Sequence, residues 1–370
     1  MEEATGRLLD SLRPEQRETI MLPLEPEAVS EWSYTPLRHE GLLLFQMDAE
    51  QRQNVRRLLA SCLSEGGYNR AMTVMGVEGV LDRIDKFPER RLALTMDGVG
   101  AVEDSRRRDP LNFTVAVFNA PGDRAGWGWR ISGHHVSVHF TVKDGKVSPT
   151  PVFFGASPAY VPMPGNSILR PLAVEEDTAR ELLRRLTPDQ VQRAVIAPRP
   201  PLDVVQSNRR WVQDGAVPLP ETFGVGPTEQ LRQELSITDE LDDMLRYTGE
   251  PKGLPFADLN SEQKDTFKAI LSVYFDRVDG TIADQVTSRL FRPESLNSMT
   301  IAWAGETVTQ SPQSGTDRRS AFYYRIQGDS LLIEFDNAQA DGNHMHSVWR
   351  DPSGDFGGDI LAEHYAKGHV

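Results

Sequence analysis

Apolar and polar residues follow two different periods along the chain, and each period occurs twice. The segments "GLLLFQMDAEQRQNVRRLLAS", from Gly41, and "GLPFADLNSEQKDTFKAILSV", from Gly253, have the spacing of amphipathic helices behind an Asp or Ser cap. Two later segments, "WRISGHHVSVHF" at 129–140 and "YRIQGDSLLIEF" at 324–335, alternate as β-strands do. Helices followed by strands predict an α+β fold.

The paired segments also predict an internal duplication. The helical strings align without a gap at an offset of 212 residues, from Gly41 to Gly253, and the strand strings at an offset of 195. Two further matches, "LRPEQRETI" with "LTPDQVQRAV" and "TVAV" with "TIAW", keep the same order at offsets of 174 and 186. We therefore expect two α+β repeats of helices and then antiparallel strands, packed as pseudo-symmetric halves of one compact unit. The first would span 1–172 and the second 173–370, with a Pro-rich insertion at about 196–228. The competing interpretation is that Glu-Gln near a helix start is common in any protein.

Composition narrows the classes of partner. The net charge of −14 over 370 residues argues against nucleic acid or an anionic membrane, because phosphate binding needs clustered Lys and Arg. The single cysteine, Cys62, excludes an intrachain disulfide and favours a reducing, cytoplasmic compartment. The polar, acidic start of the chain is unlike a signal peptide, and no apolar run is long enough for a bilayer. Because the chain has only one cysteine, a metal site must draw its ligands from His, Asp and Glu.

The first group of histidines lies in the string at 129–140. If this string is one strand, His134 faces the apolar side and His135 the polar side, unless Gly133 introduces a bulge. A histidine on an apolar face is often a buried neutral residue that hydrogen-bonds to backbone, and this interpretation stands beside metal binding. For His139 the alternative is a solvent-facing strand residue.

The second group of histidines lies near the end of the chain. His344 and His346 are two residues apart and would point the same way from an extended chain, as pairs of metal ligands do. His364 would lie on a short helix that begins near Asp359. The alternative is that these histidines make structural hydrogen bonds. We expect imidazoles of both groups to surround one ion between the halves, with these metal ligands: His134, His135, His344, His346 and His364.

Arginines that follow aromatic residues provide a second signal. Arginine pairs with carboxylates and phosphates through two hydrogen bonds and stacks on rings, which favours an anion-binding pocket. The expected substrate-binding residues are Trp129, Arg130, Tyr324 and Arg325. The expected catalytic residues are Glu334, Arg350 and Asp351. Alternatively, the arginines pair with Asp351 or Asp355 and serve structure alone.

Long strings of the sequence resemble a known family. "WGWRISGHHVSVHFTV", "FFGASPA", "YYRIQGDSLLIEFDNAQADGNHMHSVWRD" and "DFGGDILAEHY" are similar to the domain of unknown function 3500 family of bacterial and fungal proteins. The resemblance covers nearly the whole chain but implies no reaction. Its pattern of His-His and His-X-His-Ser-Val-Trp-Arg-Asp falls on residues already singled out. Two positions depart from it: His139 stands where relatives tend to have Asn, and Phe322 where they have His.

These observations favour a metal-dependent enzyme acting on a small polar or anionic substrate. Zinc, iron or manganese, or else copper, would be held by the histidines, and hydrolysis by metal-activated water is the simplest reaction. A non-haem iron or copper oxidoreductase would use the same ligands. A metal-free enzyme would use His135 or His346 as general base, and a non-catalytic protein would only bind a metal or an anion. The sequence leaves the oligomeric state open.

Overall fold

The fold is mixed α+β, as the sequence predicts, and the strands pair mostly antiparallel. A computed structural model describes residues 1–35, 39–86, 108–217, 232, 237–308 and 320–358. The chain divides into two compact units. The first unit comprises Met1–Phe154, Asp276–Gln285 and Ser353–Val370, and the second comprises Gly155–Phe275 and Val286–Pro352.

The first unit begins with helices and continues with strands. Its helices are α1 Glu2–Asp10, α2 Pro14–Ile20, α3 Pro26–Val29, α4 Ala49–Ala60 and α5 Glu65–Ile84, with 3-10 turns at Leu44–Gln46 and Asp355–Gly357. Its strands are β1 Met21–Leu22, β2 Leu42–Leu43, β3 Phe113–Phe118, β4 Trp127–Gly133, β5 Val136–Lys143, β6 Lys146–Ser148 and the start of β7 Val152–Ala156. Asp48 caps α4 as predicted, because its carboxylate accepts the Gln51 N–H at 2.9 Å.

The second unit begins with short strands and continues with helices and further strands. Its helices are α6 Ala173–Arg185, α7 Pro188–Ala194, α8 Asp239–Leu245, α9 Ser261–Phe275, the C-terminal part of α10 Gly280–Leu290, and α11 Pro293–Asn297, with 3-10 turns at Pro164–Asn166 and Phe256–Asp258. Its strands are β8 Val161–Met163, β9 Ser167–Leu169, β10 Val195–Ala197, β11 Leu254–Pro255, β12 Thr300–Gly305, β13 Phe322–Gly328, β14 Leu331–Gln339 and β15 His344–Arg350. The expected serine cap of α9 is wrong: the Gln263 N–H donates to Asn260 Oδ1 at 3.0 Å, so Asn260 is the cap.

Strand pairing inside each unit follows the same plan. In the first unit β1 runs parallel to β3 with Met21 opposite Val117, and in the second β10 runs parallel to β12 with Val195 opposite Trp303. These partners differ by 174 and 186 residues, the offsets of the sequence matches. In both units an antiparallel three-strand meander follows, formed by β3, β4 and β5 or by β12, β13 and β14.

The two meanders also resemble each other in strand register and in one aromatic pair of each core. Trp129 lies opposite Phe140 and stacks on it with ring centroids 5.1 Å apart. Tyr324 lies opposite Phe335 and stacks on it at 5.2 Å. Each aromatic pair is buried. The two meanders therefore have a stacked aromatic pair at positions that lie 195 residues apart in the sequence.

A pair of glutamines joins two helices in each unit, and Gln16, Gln51 and Gln263 of these pairs are buried. In the first unit the side-chain amides of Gln16 and Gln51 exchange hydrogen bonds at 2.9 and 3.2 Å. In the second unit Gln190 and Gln263 do so at 2.8 and 3.1 Å. Each pair joins a short helix, α2 or α7, to a longer helix later in the chain, α4 or α9. The Glu-Gln and Asp-Gln matches in the sequence therefore correspond to side chains that pack these helices together.

The prediction of one strand over 129–140 is wrong. The segment is a hairpin in which β4 ends at Gly133 and β5 begins at Val136, and Gly133 pairs directly with Val136. His134 and His135 therefore form a two-residue turn and do not lie on opposite faces of a strand. Two-residue hairpin turns often include a residue with positive φ, and here it is His135 in place of the usual glycine or asparagine.

Within the part of the chain that the structure describes, no helix combines the length and the apolar character that crossing a bilayer requires.

Candidate metal centres

The turn between β4 and β5 brings two imidazoles together. His135 has a φ of 64°, in the left-handed region that residues other than glycine rarely adopt. Its backbone N–H donates to the Tyr34 carbonyl at 3.0 Å, which helps to hold this conformation. The ring centroids of His134 and His135 lie 3.6 Å apart, and both residues are buried. Strained turns of this kind are concentrated at functional sites.

A carboxylate from helix α5 meets both imidazoles. Glu78 lies on the buried face of the helix, among Val74, Val77 and Leu81, and is only 2% exposed. Its Oε1 lies 2.5 Å from Nδ1 of His134 and 3.9 Å from Nδ1 of His135. Burial of an ionisable residue on an apolar helix face is costly unless it has partners, and the imidazoles are such partners.

Arg108 places a permanent positive charge at the same point. Its Nη1 lies 3.0 Å from Nδ1 of His134 and 3.8 Å from Oε2 of Glu78, and its Nε donates to Asp85 at 2.9 Å. The Asp85 side chain is 43% exposed, so this edge of the cluster is near solvent. A small molecule could therefore approach the guanidinium from this side.

These side chains have the composition and spacing of a metal site. One ligand atom from each of Glu78, His134 and His135 lies within 4.8 Å of the others. Two ligands of one zinc or iron ion lie within roughly 4 Å of each other, because each bond is about 2.0–2.2 Å long. Among the residues that the structure describes, Oε2 of Glu78 is buried and accepts no hydrogen bond. We call these three residues the Glu78 cluster.

A second group of metal-binding side chains lies in the second unit. Nδ1 of His346 is 2.9 Å from Oδ1 of Asp203 and 3.2 Å from Oδ2 of Asp336. Burial disfavours the imidazolium, but the two carboxylates outweigh it and raise the pKa of His346 to about 10. Burial raises the pKa of Asp336 as well, with His346 opposing the shift. We call these three residues the His346 cluster.

The remaining predicted ligands are placed as follows. His344 and His346 point the same way from β15, as expected, with ring centroids 4.6 Å apart. His364 and the expected helix from Asp359 lie outside the described residues. Metal binding by the predicted residues, and one ion shared by both histidine groups, stay predictions.

The predicted substrate-binding arginines are fully buried and bound to backbone. Arg130 donates to the carbonyls of residues 28, 31 and 40 and also pairs with the Glu31 carboxylate at 3.4 Å. Arg325 donates to the carbonyl of residue 245 at 3.3 Å and lies over the ring of Tyr247. Trp129 and Tyr324 are equally buried in the stacked pairs of the meanders. These contacts hold loops against the strands, and substrate binding by the four residues stays a prediction.

The three predicted catalytic residues each have a partner inside the second unit. Glu334 accepts the backbone N–H groups of Val205 and Gln206 at 2.7 and 3.1 Å and the hydroxyl of Tyr323 at 2.7 Å. Arg350 donates to the carbonyls of residues 209 and 210 at 2.8 and 2.9 Å. Asp351 pairs with Arg289 at 2.7 Å. Glu334 and Arg350 thus anchor the irregular segment 198–217, and a catalytic role for the three stays a prediction.

The two positions that depart from the family pattern are both buried. His139 packs edge-on against the ring of Phe356 at 5.1 Å, so the solvent-facing alternative is wrong. Phe322 stacks on Trp303 at 4.9 Å, and the Arg180 guanidinium lies 4.0 Å from its ring centroid. In this protein the position of Phe322 is part of an aromatic core.

Comparison with known proteins decides the family. The profile described as "Protein of unknown function (DUF3500)" matches residues 1–358. The chain belongs to the DUF3500 family. No curated protein and no solved structure matches it.

Sequence reasoning on this DUF3500 chain missed the carboxylates of both clusters and the nearby arginine. Glu78 does carry a signal, because it stands in the apolar string "TVMGVEGVL" at a position that the helix period assigns to the core. Asp336 carries a weaker signal, since it directly follows the string at 324–335. Asp203 and Arg108 lie in irregular segments, and nothing in their local sequence distinguishes them from other charged residues.

Proposed function

We propose that this protein is a metal-dependent enzyme that hydrolyses a small polar or anionic substrate at the Glu78 cluster. The observation that carries the proposal is the convergence of two imidazoles and one carboxylate, all buried, from the β4–β5 turn and helix α5. Two histidines and one glutamate form the protein ligand set of many catalytic zinc sites. Three protein ligands leave a position open for water or substrate.

The residues around the cluster suit this chemistry. A bound divalent ion lowers the pKa of its water towards neutrality and so supplies hydroxide as the nucleophile. Arg108 is close enough to both His134 and Glu78 to hold an anionic substrate beside that hydroxide. The left-handed turn at His135 fixes both rings before a metal binds, so little ordering is required.

The same ligand set favours one alternative. Two histidines and one carboxylate also hold the iron of many non-haem oxygenases, in which the open positions bind substrate and oxygen. Oxygen consumption by the iron-loaded protein distinguishes this function from hydrolysis, which proceeds equally well without air. Stoichiometric metal with neither activity would favour the third function, metal or anion binding without turnover.

Metal analysis of untagged protein provides the first test. We expect bound zinc, iron or manganese, and hydrolysis of a nitrophenyl ester or phosphate probe by the loaded protein. Glu78→Gln should remove this metal and the activity, because an amide is a poor ligand. Glu65→Gln changes an exposed glutamate of the same helix and should change neither.

A second variant separates metal binding from folding. Asparagine tolerates the left-handed region, so His135→Asn should keep the turn but remove a ligand. We expect a folded protein, by circular dichroism and thermal unfolding, that has lost the metal of the Glu78 cluster. Wild-type protein that takes up none of these metals would contradict the proposal, as would variants that bind as the wild type does.

We also propose that the chain arose by duplication of a unit of about half its length, with repeats at 1–172 and 173–370. The shared strand register, the parallel β1 and β10 partners and the paired glutamines support this proposal. The N–H of residue 64 donates to the carbonyl of residue 277, and the N–H of residue 279 donates to the carbonyl of residue 62. Residues 277 and 279 correspond to residues 62 and 64 at an offset of 215. Such a reciprocal exchange is typical of a local twofold relation.

We further propose a reducing, cytoplasmic location. Cys62 is a free thiol buried in the core, which suits a compartment where thiols stay reduced. Fractionation of the native host cell, followed by detection of the full chain, tests this location. Recovery from a secreted fraction would contradict it.

A further inference from the structure

The His346 cluster places three metal-binding groups around one buried point. Asp336 and His346 lie directly opposite each other on the antiparallel strands β14 and β15, so the sheet itself sets their separation. Asp203 approaches from the irregular segment 198–217. The distances from His346 Nδ1 to the two carboxylates, 2.9 and 3.2 Å, match those between neighbouring ligands of one ion with bonds of about 2.0–2.2 Å.

The cluster carries more negative charge than positive charge. Two carboxylates face a single imidazole, and the three residues are between 0% and 6% exposed. Apart from the ion pair with His346, neither carboxylate oxygen of Asp336 takes part in a hydrogen bond among the residues that the structure describes, although both are buried. A buried carboxylate in this state is costly unless a positive charge lies beside it.

We infer that Asp203, Asp336 and His346 form a second metal site, which takes a divalent transition-metal ion such as Mn²⁺ or Zn²⁺. The mixed oxygen and nitrogen ligands suit these ions better than Ca²⁺ or Mg²⁺. A divalent ion balances the two carboxylates with the imidazole neutral, and it adds a positive charge beside the buried Asp336 carboxylate. The inference does not rest on the enzymatic function proposed for the Glu78 cluster.

The burial of the cluster points to a structural role. Closed metal sites hold segments together, whereas catalytic sites keep an open position. Segment 198–217 is already fastened by Glu334, by Arg350, and by Gln339, whose side chain donates to the carbonyl of residue 202 at 2.8 Å. A metal bound to Asp203 would clamp the same segment to β14 and β15.

The experiment uses the full chain with the Glu78→Gln substitution, so that only the second site is left to bind. Metal-free protein is titrated with Mn²⁺ and, separately, with Zn²⁺, and the bound metal is counted after gel filtration. We expect one equivalent per chain, with an imidazole nitrogen coupled to Mn²⁺ in pulsed electron paramagnetic resonance. Adding Asp336→Asn or Asp203→Asn should abolish this binding, whereas Asp329→Asn, in an exposed turn, should leave it unchanged.

Proteolysis tests the clamp independently of any substitution in the cluster. Trypsin cuts after Arg209 and Arg210, which lie in segment 198–217. Removal of the metal should speed this cleavage by about tenfold, and added metal should restore protection. Should the Asp336 and Asp203 variants not fold, this result and the nitrogen coupling still decide the matter. Glu78→Gln protein that binds no metal would overturn the inference, and so would binding that Asp336→Asn leaves intact.

Discussion

The paired glutamines give the sharpest test of the shared architecture. Gln51 is 1% exposed, and its side chain donates to the Ser11 carbonyl at 2.9 Å and accepts the Asp48 N–H at 2.9 Å. It also exchanges two hydrogen bonds with Gln16. The substitution Gln51→Ala removes these four hydrogen bonds and leaves polar groups of Ser11, Gln16 and Asp48 with fewer hydrogen bonds, Gln16 being buried.

The size of the effect follows from this count. At about 1 kcal/mol of net free energy for each hydrogen bond, the loss is about 4 kcal/mol. Roughly 1 kcal/mol is offset because a long side chain no longer has to be ordered. We therefore expect the free energy of unfolding to fall by about 3 kcal/mol. Gln263 makes the equivalent contacts, with the carbonyl of Arg185 and the N–H of Asn260, so Gln263→Ala should cost a similar amount.

Urea unfolding followed by circular dichroism measures both values, and native-state hydrogen exchange assigns each loss to its own helices. Gln53→Ala, at an exposed position of α4, is the control and should cost no more than about 0.5 kcal/mol. A loss at Gln51 as small as that of the control would refute the reasoning. A difference above about 1.5 kcal/mol between Gln51→Ala and Gln263→Ala would show that the two contacts are not equivalent.

Two further predictions concern buried groups outside the clusters. Burial raises the pKa of the Cys62 thiol from 9.0 to about 12, so native protein should resist iodoacetamide at pH 8.5 and react once unfolded in urea. In the unfolded chain the thiol ionises at a lower pH than in the folded protein, so the contribution of Cys62 to stability should be full below pH 9 and be lost as the pH rises towards 12. Unfolding of wild-type and Cys62→Ala protein measured over this pH range checks the prediction, because the variant should not show this loss. Arg350→Lys should weaken the hold on segment 198–217 by about 1–3 kcal/mol, because one ammonium cannot reproduce a planar fork to two carbonyls. Faster trypsin cleavage with unchanged metal content at the Glu78 cluster is the expected result, and loss of that metal would contradict it.

Much of the fold could be predicted because the chain presents most of its pattern twice. The helical string from Gly253 follows the period of the helix that it forms, and its match with the string from Gly41 supports both predictions. The string at 324–335, like that at 129–140, forms a hairpin, in which β13 ends at Gly328 and β14 begins at Leu331. The cap of α9 was assigned to Ser261 where Asn260 performs it, a shift of one residue that periodicity alone does not resolve.

The candidate sites were less predictable, for two physical reasons. His134 and His135 lack the Asn-Gly or Asp-Gly sequence that usually marks a two-residue turn, so the pattern predicts one strand where the structure has a hairpin. The carboxylates come from distant parts of the chain: Glu78 precedes its histidines by 56 residues, and Asp203 precedes His346 by 143. Without a repeat or a local period, a single sequence does not reveal which distant residues these carboxylates contact.

The equivalent hairpin of the second unit shows why the turn at His134 and His135 favours function over structure. At the 195-residue offset the turn consists of Asp329 and Ser330, which are exposed and half-exposed and have no positive φ. Polar residues of this kind satisfy the needs of a surface turn at no strain. The first unit instead places two imidazoles there, buries both, and holds His135 in a left-handed conformation beside Glu78. A hairpin of the same register closes with Asp and Ser in the second unit, which supports the proposal that the buried histidines of the first unit serve binding rather than stability.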